Sequence, residues 1–168
     1  MFNIPLFIIS CENWDDKKQA LKQFYSDNSL QENSSILTDF FKKREYHYII
    51  FDLFYKEMEK FRLNFNFNSI SIKDVWFEKA LKGMYHGIHN HGTIGYSSVC
   101  YINYNNKLHT PLTFVSPFDN FLNGELLSFT PDISEGDILF FPSVIKHFTL
   151  PNKSDEPREV VSFNLNIN

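Results

Sequence analysis

The sequence is short of several features that would direct it to a particular class of protein. Its 168 residues contain two cysteines, Cys11 and Cys100, far apart and without a partner at CxxC spacing. This excludes a disulfide framework and a paired-cysteine zinc site, and it favours a reducing, cytoplasmic setting. The apolar opening MFNIPLFIIS has no basic n-region or cleavage site. It is also far shorter than the roughly 20 residues that span a bilayer, so we interpret it as a strand.

Positive charge is neither abundant nor clustered in this chain. Sixteen Lys and Arg stand against 20 Asp and Glu, which gives a formal net charge of −4. Because a phosphate backbone is bound by a basic patch, we expect no nucleic-acid partner, and we expect no membrane partner either. A small molecule or a peptide is the expected substrate. The 19 phenylalanines leave room for an apolar homodimer contact.

Hydrophobic periodicity predicts a helical first third. Asn13 is a candidate N-cap for a helix that runs to about Tyr25. Apolar residues then recur between Ile36 and Phe61 at spacings typical of one or two amphipathic helices. Helices of this kind usually cover a sheet.

From Asn64 onward the hydrophobic period changes to two, with turn residues at short intervals. The stretch CYINYNNKLHTPLTF favours two strands joined by a hairpin at Asn105-Asn106. Strands that follow helices indicate a β-sandwich or barrel with helices on one side. We therefore predict a single domain, with a strand and helical support in residues 1–66 and the β core in residues 67–168.

Three of the six histidines fall within YHGIHNHG, residues 85–92. If this segment is a strand, His89 and His91 face one point and His86 lies on the opposite side. An HxH pair by itself is more often part of a polar loop than of a metal site, so a third ligand is needed. The candidate is His147, although alone it is more readily explained as a hydrogen-bonded histidine near a sheet surface.

The closing segment EPREVVSFNLNIN places Arg158, Ser162 and Asn164 on one face of a predicted strand. If that face points into the barrel, Arg158 needs an anionic partner, because an unpaired buried guanidinium is costly. No inward-facing carboxylate is evident nearby in the sequence, so a bound carboxylate ligand is the first candidate. The alternative is that Arg158 lies outside the barrel mouth and pairs with Asp155 or Glu156.

The order of these residues resembles a known family. The features are the His-x-His pair, a serine-containing strand that ends at Tyr101, the run GDILFFPSVIKH and the closing PREVVSFN. Together they resemble a small bacterial and phage branch of the iron(II)/2-oxoglutarate-dependent oxygenases, over about Val75 to Asn166. The resemblance implies a mainly β fold, a double-stranded β-helix (jelly roll) with N-terminal helices packed on one sheet. It also implies a dioxygenase that uses Fe(II), 2-oxoglutarate and O₂ to hydroxylate a peptide or protein side chain or a small metabolite.

The resemblance further implies a role for individual residues. The metal would be held by His89, His91 and His147, and the distal carboxylate of 2-oxoglutarate would be bound by Arg158 with help from Tyr101 and Ser162. Three ligands on one face of octahedral iron leave two positions for the keto acid and one for O₂. The superfamily usually carries a carboxylate at the place of His91, so a third imidazole leaves this site one charge more positive. Val160 also stands where the branch has a serine.

Two other functions stay open at this stage. A three-histidine, cupin-like dioxygenase would act without a keto acid, and Arg158 would then hold the substrate's own carboxylate. A non-catalytic jelly-roll binding module would need none of this chemistry, since fold does not fix function. For an enzyme, the candidates for substrate contact at the barrel mouth are His86, the loop SPFDNFLNGE, Trp76 and Tyr85. Ordinary core or rim packing is the favoured explanation of Trp76 and Tyr85.

Overall fold

The computed structural model describes residues 4–24, 30–33, 35–43 and 45–168. Within these ranges the helices are α1 (Trp14–Phe24), α2 (His47–Leu53) and α3 (Tyr55–Asn64). The strands are β1 (Phe7–Ser10), β2 (Gln31–Asn33), β3 (Ile36–Thr38), β4 (Ile70–Ala80), β5 (His86–His89), β6 (Tyr96–Asn103), β7 (Leu112–Val115), β8 (Ser128–Phe129), β9 (Asp137–Pro142), β10 (His147–Thr149) and β11 (Arg158–Ile167). No described helix combines the length and the apolar character that crossing a bilayer requires.

Two antiparallel sheets make up the β core. The larger has the strand order β1-β9-β6-β11-β4-β3-β2, and the smaller has the order β5-β10-β7-β8. The opening apolar segment supplies the edge strand β1, which pairs with β9. Two such sheets with helices on one of them agree with the predicted jelly roll.

The central strands of the larger sheet are buried on both faces, which explains their nearly continuous apolar sequences. Phe140 and Phe163 point to the helices, where they join a core cluster with Phe54 and Phe61. The alternate residues of the same strands point to the smaller sheet, in a second cluster that contains Leu139, Phe141, Val160, Val99, Tyr101 and Phe114. The helices thus seal one face and leave the other face free to line a site between the sheets.

The predicted helical region from Ile36 to Phe61 is only partly helical. Its second half forms α2 and α3, but Ile36–Thr38 is strand β3, inserted between β2 and β4. Pairing of Leu37 with Lys79 extends the larger sheet, and this tertiary pairing overrides the local apolar spacing. Helix α1 ends at Phe24, and Tyr25, its predicted end, lies outside the described residues.

The predicted hairpin around Asn105-Asn106 is wrong. Strand β6 already has β9 on one side and β11 on the other, so neither of its edges is available to β7. The chain therefore crosses from the larger to the smaller sheet between β6 and β7, and β7 pairs with β10 and β8.

Candidate metal and co-substrate site

Two of the three candidate ligands lie on paired strands of the smaller sheet. His147 begins β10 directly opposite His89, the last residue of β5. His91 lies beyond the end of β5, so simple strand alternation does not place it. Instead its backbone N–H donates to the carbonyl of Ser143 at 3.0 Å. This bond turns His91 back towards His89.

The outer ring nitrogens of the three imidazoles all face oxygen acceptors. Nδ1 of His89 lies 2.7 Å from the Gly87 carbonyl, and Nδ1 of His147 lies 2.9 Å from the Ile145 carbonyl. Nδ1 of His91 lies 3.1 Å from Oδ1 of Asn164. Because carbonyl oxygens only accept, each Nδ1 carries the proton and each Nε2 keeps a lone pair. All three Nε2 atoms are therefore in the form that a metal requires.

These Nε2 lone pairs converge on one point. The candidate ligand atoms of His89, His91 and His147 all lie within 4.8 Å of one another. Nε2 of His89 and Nε2 of His91 are 3.2 Å apart, and two lone pairs at that distance repel unless a cation lies between them. The donor set fits a divalent transition metal, and imidazole ligands suit iron, zinc, nickel and copper alike.

Burial keeps these imidazoles uncharged. It lowers the pKa of His91 to about 4, with a further contribution from the charge of His89. It also lowers the pKa of His147 well below its ordinary value and, together with the charge of His86, lowers the pKa of His89. Metal ligation requires neutral imidazoles, so proton competition is weak near pH 7.

The six residues singled out from the sequence line one chamber between the sheets. Its lining includes His89, His91, His147, Tyr101, Arg158 and Ser162. Arg158 is 4% exposed and lies inside, contrary to the alternative that places it at the barrel mouth. Asp155 pairs with Lys82 instead, at 2.8 Å.

The Arg158 guanidinium is held by neutral oxygens. Nη1 donates to the Thr110 carbonyl at 2.9 Å, and Nη2 donates to the Thr149 hydroxyl at 3.2 Å. Arg158 Nε and the Tyr101 hydroxyl are buried and make no hydrogen bond of normal geometry with any residue the structure describes. Such groups are rare in protein interiors, and both are donors of the kind that an anionic group accepts.

An open groove of about 360 Å³ lies on the other side of the triad. It shares Glu78, His86, His89 and His91 with the chamber, and its remaining lining is Asn33, Ile36, Thr38, Phe40, Phe41, Trp76, Asn90 and Asn164. Of the candidates for substrate contact, Trp76 and His86 line this groove. Tyr85 and the loop SPFDNFLNGE do not.

The position of His86 differs from the sequence prediction. Its ring stacks on His89, with centroids 3.9 Å apart and planes at 19°, although strict alternation puts the two on opposite sides. The cause is a register shift in the pairing of β5 with β10, which has His147 opposite His89 but Thr149 opposite His86. A β-bulge of this kind changes the direction of a side chain, and local sequence does not reveal it.

Sequence reasoning also missed Glu78, a buried acid beside the site. It lies on β4, two residues from Trp76 and on the same face, and its side chain lines both the chamber and the groove. Trp76 Nε1 donates to its Oε1 at 2.7 Å. The available signal was an acid at an inward-facing position of the strand DVWFEKA.

Comparison with known proteins agrees with this geometry. Residues 74–164, more than half of the chain, match the family described as "Putative 2OG-Fe(II) oxygenase". No curated protein sequence is significantly similar to the chain.

Several solved structures share the fold. A 2OG-Fe(II) oxygenase family oxidoreductase from Burkholderia pseudomallei is 10% identical at a TM-score of 0.70, over 96% of this chain and 84% of that one. The carbocyclase SnoK of nogalamycin biosynthesis is 9% identical at a TM-score of 0.71, over 98% and 80%. The viral collagen prolyl hydroxylase of Paramecium bursaria Chlorella virus-1, solved with 2OG, is 15% identical at a TM-score of 0.62, over 95% and 94%. These likenesses confirm the double-stranded β-helix. With the family match, they lead to one conclusion: the chain belongs to the 2OG-Fe(II) oxygenases, a family of oxidoreductases that need Fe(II), 2-oxoglutarate and O₂.

Proposed function

We propose that this protein is a dioxygenase that hydroxylates a peptide or protein side chain or a small metabolite. In this proposal His89, His91 and His147 hold the iron, and Arg158 binds 2-oxoglutarate with Tyr101 and Ser162. The observation that carries it is the presence, in one chamber, of three converging imidazoles and a buried guanidinium with an unpaired N–H. Bound iron and 2-oxoglutarate supply the oxidising chemistry, because reaction with O₂ converts the keto acid to succinate and CO₂ while the substrate is oxidised.

The Arg158 guanidinium is suited to the far carboxylate of the co-substrate. Two of its five N–H groups are used by Thr110 and Thr149, which fix the plane of the fork. Nε–H and a remaining Nη–H are free to bind two carboxylate oxygens side by side. The Tyr101 hydroxyl adds a third donor, and Val160 and Leu112 help to exclude water from the chamber.

Thr149 couples the two halves of the proposed site. Its hydroxyl oxygen accepts from Arg158 Nη2 at 3.2 Å and from the backbone N–H of His86 at 2.9 Å. It lies on the same strand as His147, two residues away. The anion-binding group and the metal ligands are thus fixed relative to each other by one short strand, which favours a ligand that reaches both.

The groove supports a substrate of side-chain or small-metabolite size. Its volume of about 360 Å³ falls near the lower end of ligand pockets, and it opens directly onto His89 and His91. Apolar contact comes from Phe40, Phe41 and Trp76, and Asn90 offers a polar amide. A fold shared with a prolyl hydroxylase supports hydroxylation, whereas the carbocyclase shows that related folds also serve other oxidations.

The proposal is tested by titrating anaerobic, Fe(II)-loaded protein with 2-oxoglutarate and following the visible charge-transfer band of the iron-bound keto acid. We expect a saturable band in the parent and an affinity about 10- to 150-fold lower in Arg158→Ala, which loses charge-assisted bonds of about 1.5–3 kcal/mol. Arg62→Ala is the matched control, because Arg62 pairs with Glu59 on the surface of α3. A parent that binds iron but gives no band would remove 2-oxoglutarate from this site, and an unchanged Arg158→Ala titration would remove Arg158 from its binding.

A further inference from the structure

The three imidazoles leave a question of charge. A divalent ion held by three neutral ligands keeps both positive charges, and the Arg158 guanidinium adds a third nearby. Concentrated positive charge in a site of low dielectric weakens retention of the ion. We propose that Glu78 supplies the negative charge that the ligand set lacks, from a position just outside it. This inference rests on the proposed function, because it takes the triad as the metal ligands.

The position of Glu78 supports this role. Its side chain lines the chamber and the groove, and the residue is 7% exposed. Among the described residues that line those two spaces, it is the one acid. Its oxygens are not part of the cluster in which the three ligand atoms lie within 4.8 Å of one another. It is therefore placed to act through the electric field and not as a ligand.

Two aromatic contacts hold the Glu78 carboxylate beside the ligands. One oxygen accepts from Trp76 Nε1 at 2.7 Å, and the Trp76 ring packs on His91 with centroids 5.2 Å apart. The other oxygen lies 3.4 Å from Nδ1 of His86, whose ring stacks on His89 at 3.9 Å. The carboxylate is thus one side chain away from two of the three imidazoles.

The carboxylate is also charged in this setting. Burial alone raises the pKa of Glu78, but attraction to His86, hydrogen bonds from His86 and Trp76, and attraction to Arg158 together lower it to about 2. Water screens a buried charge only weakly, so the carboxylate attracts a nearby divalent ion, and a protonated His86 offsets part of that attraction. Loss of a supporting group around a metal site typically weakens metal binding about 10- to 100-fold.

The test measures metal affinity alone. Co(II) is titrated anaerobically into the 168-residue protein in competition with a chromophoric chelator, and the d–d spectrum shows whether the ligand set is unchanged. Glu78→Gln keeps the shape and the acceptor for Trp76 but removes the charge, and we expect it to bind Co(II) about 10- to 100-fold more weakly. Glu159→Gln is the matched control. It removes the same charge from a buried acid that pairs with Lys79 at 3.5 Å and does not line the chamber, so its affinity should stay within about twofold of the parent.

A second variant separates charge from hydrogen bonding. Glu78→Asp keeps the charge but shortens the side chain and breaks its contacts with Trp76 and His86. We expect it to bind Co(II) more tightly than Glu78→Gln. Circular dichroism first verifies that both variants are folded. Three results would each overturn the inference. Glu78→Gln could bind Co(II) as tightly as the parent, Glu159→Gln could lose as much affinity as Glu78→Gln, or Glu78→Asp could bind more weakly than Glu78→Gln. A parent that binds no Co(II) would overturn the proposed metal site itself, so the two failures are distinguishable.

Discussion

Buried polar atoms without partners distinguish this chamber from the rest of the core at the scale of single residues. The protein encloses Arg158 Nε and the Tyr101 hydroxyl without giving either a hydrogen bond of normal geometry among the described residues. Each such group costs about 1–3 kcal/mol of stability. A fold accepts this cost where a ligand later provides the partner, which is why these two atoms support an anion site.

This argument predicts opposite effects on stability and binding for Tyr101→Phe. Removing a hydroxyl that makes no hydrogen bond of normal geometry among the described residues should leave the free energy of unfolding of the ligand-free protein unchanged or raise it by up to about 1 kcal/mol. The same change should weaken 2-oxoglutarate binding about 10-fold or more, because a hydrogen bond to a carboxylate is lost. Urea denaturation measures the first quantity and the anaerobic titration measures the second.

The control for this pair of measurements is Tyr96→Phe, since Tyr96 packs with the helix-facing cluster and not in the chamber. It should leave the co-substrate affinity unchanged, and so it should not show the combination of weaker binding and unchanged or higher stability that we expect of Tyr101→Phe. A clear loss of stability in Tyr101→Phe with unchanged affinity would mean that the hydroxyl has an internal partner and no role in binding.

Much of the site was accessible from the sequence at this scale, for two reasons. The HxH pair and Arg158 stand out by residue type at inward positions of predicted strands, whereas His147, Tyr101 and Ser162 were assigned to the site by the resemblance of the motif order to a known family. Their individual roles stay predictions. The orientation of His86 was predicted wrongly and Glu78 was missed, because their placement depends on a β-bulge and on the pairing of distant strands, and neither leaves a local pattern.

At the scale of elements, the site depends on the larger sheet being sealed by helices on its other face. Phe61 of α3 is fully buried and stacks on Phe140 of β9, with centroids 4.3 Å apart and planes at 7°. Successive side chains of a strand point to opposite faces of the sheet. Phe141, the next residue, therefore points the other way and packs against His147, with ring centroids 4.9 Å apart. One strand thus joins the helical core to the candidate metal ligands.

Phe61→Ala should therefore lower stability without changing the site directly. Removing a fully buried ring leaves a cavity, and we expect a loss of about 3–5 kcal/mol in the free energy of unfolding. In the fraction that remains folded, Co(II) affinity should stay within about twofold of the parent, because Phe61 contacts no candidate ligand. Phe61→Leu, which fills part of the cavity, should lose less, and a large loss of metal affinity in either variant would show that α3 controls the site.

The helices and the long strands were predictable because a sustained period of 3.6 or 2 reflects the face that an element buries. Strand β1 was predictable from its apolar sequence, but strand β3 and the connection from β6 to β7 were not. Strand β3 has three residues and exists because it pairs with β4, and the connection from β6 to β7 changes sheets because β6 has no free edge. In both cases the strand that determines the pairing is distant in the sequence, so the local residue pattern does not reveal it.

At the scale of the whole molecule, histidine burial links the site to acid stability. In the metal-free protein, burial lowers the pKa of His91 to about 4 and also lowers the pKa of His89 and His147. The unfolded chain titrates these groups near 6.5, so between about pH 6.5 and 4 it binds more protons than the folded protein does. Their contribution to the free energy of unfolding is fully present above about pH 6.5, and it is lost as the pH falls through their lowered pKa values.

We therefore expect the free energy of unfolding of the metal-free protein to fall steadily from pH 7 to pH 4.5. His86 has the opposite sign, because its pKa is raised by Glu78 against the effect of burial. It is one group against four, since burial also lowers the pKa of His109. Urea denaturation at several pH values measures the slope, and His91→Gln should make it shallower. Excess Co(II) should make it steeper, since protons then also displace the metal. A parent whose stability is constant or rises on acidification would show that these imidazoles are not buried in neutral form, which would remove the structural basis for the triad as metal ligands.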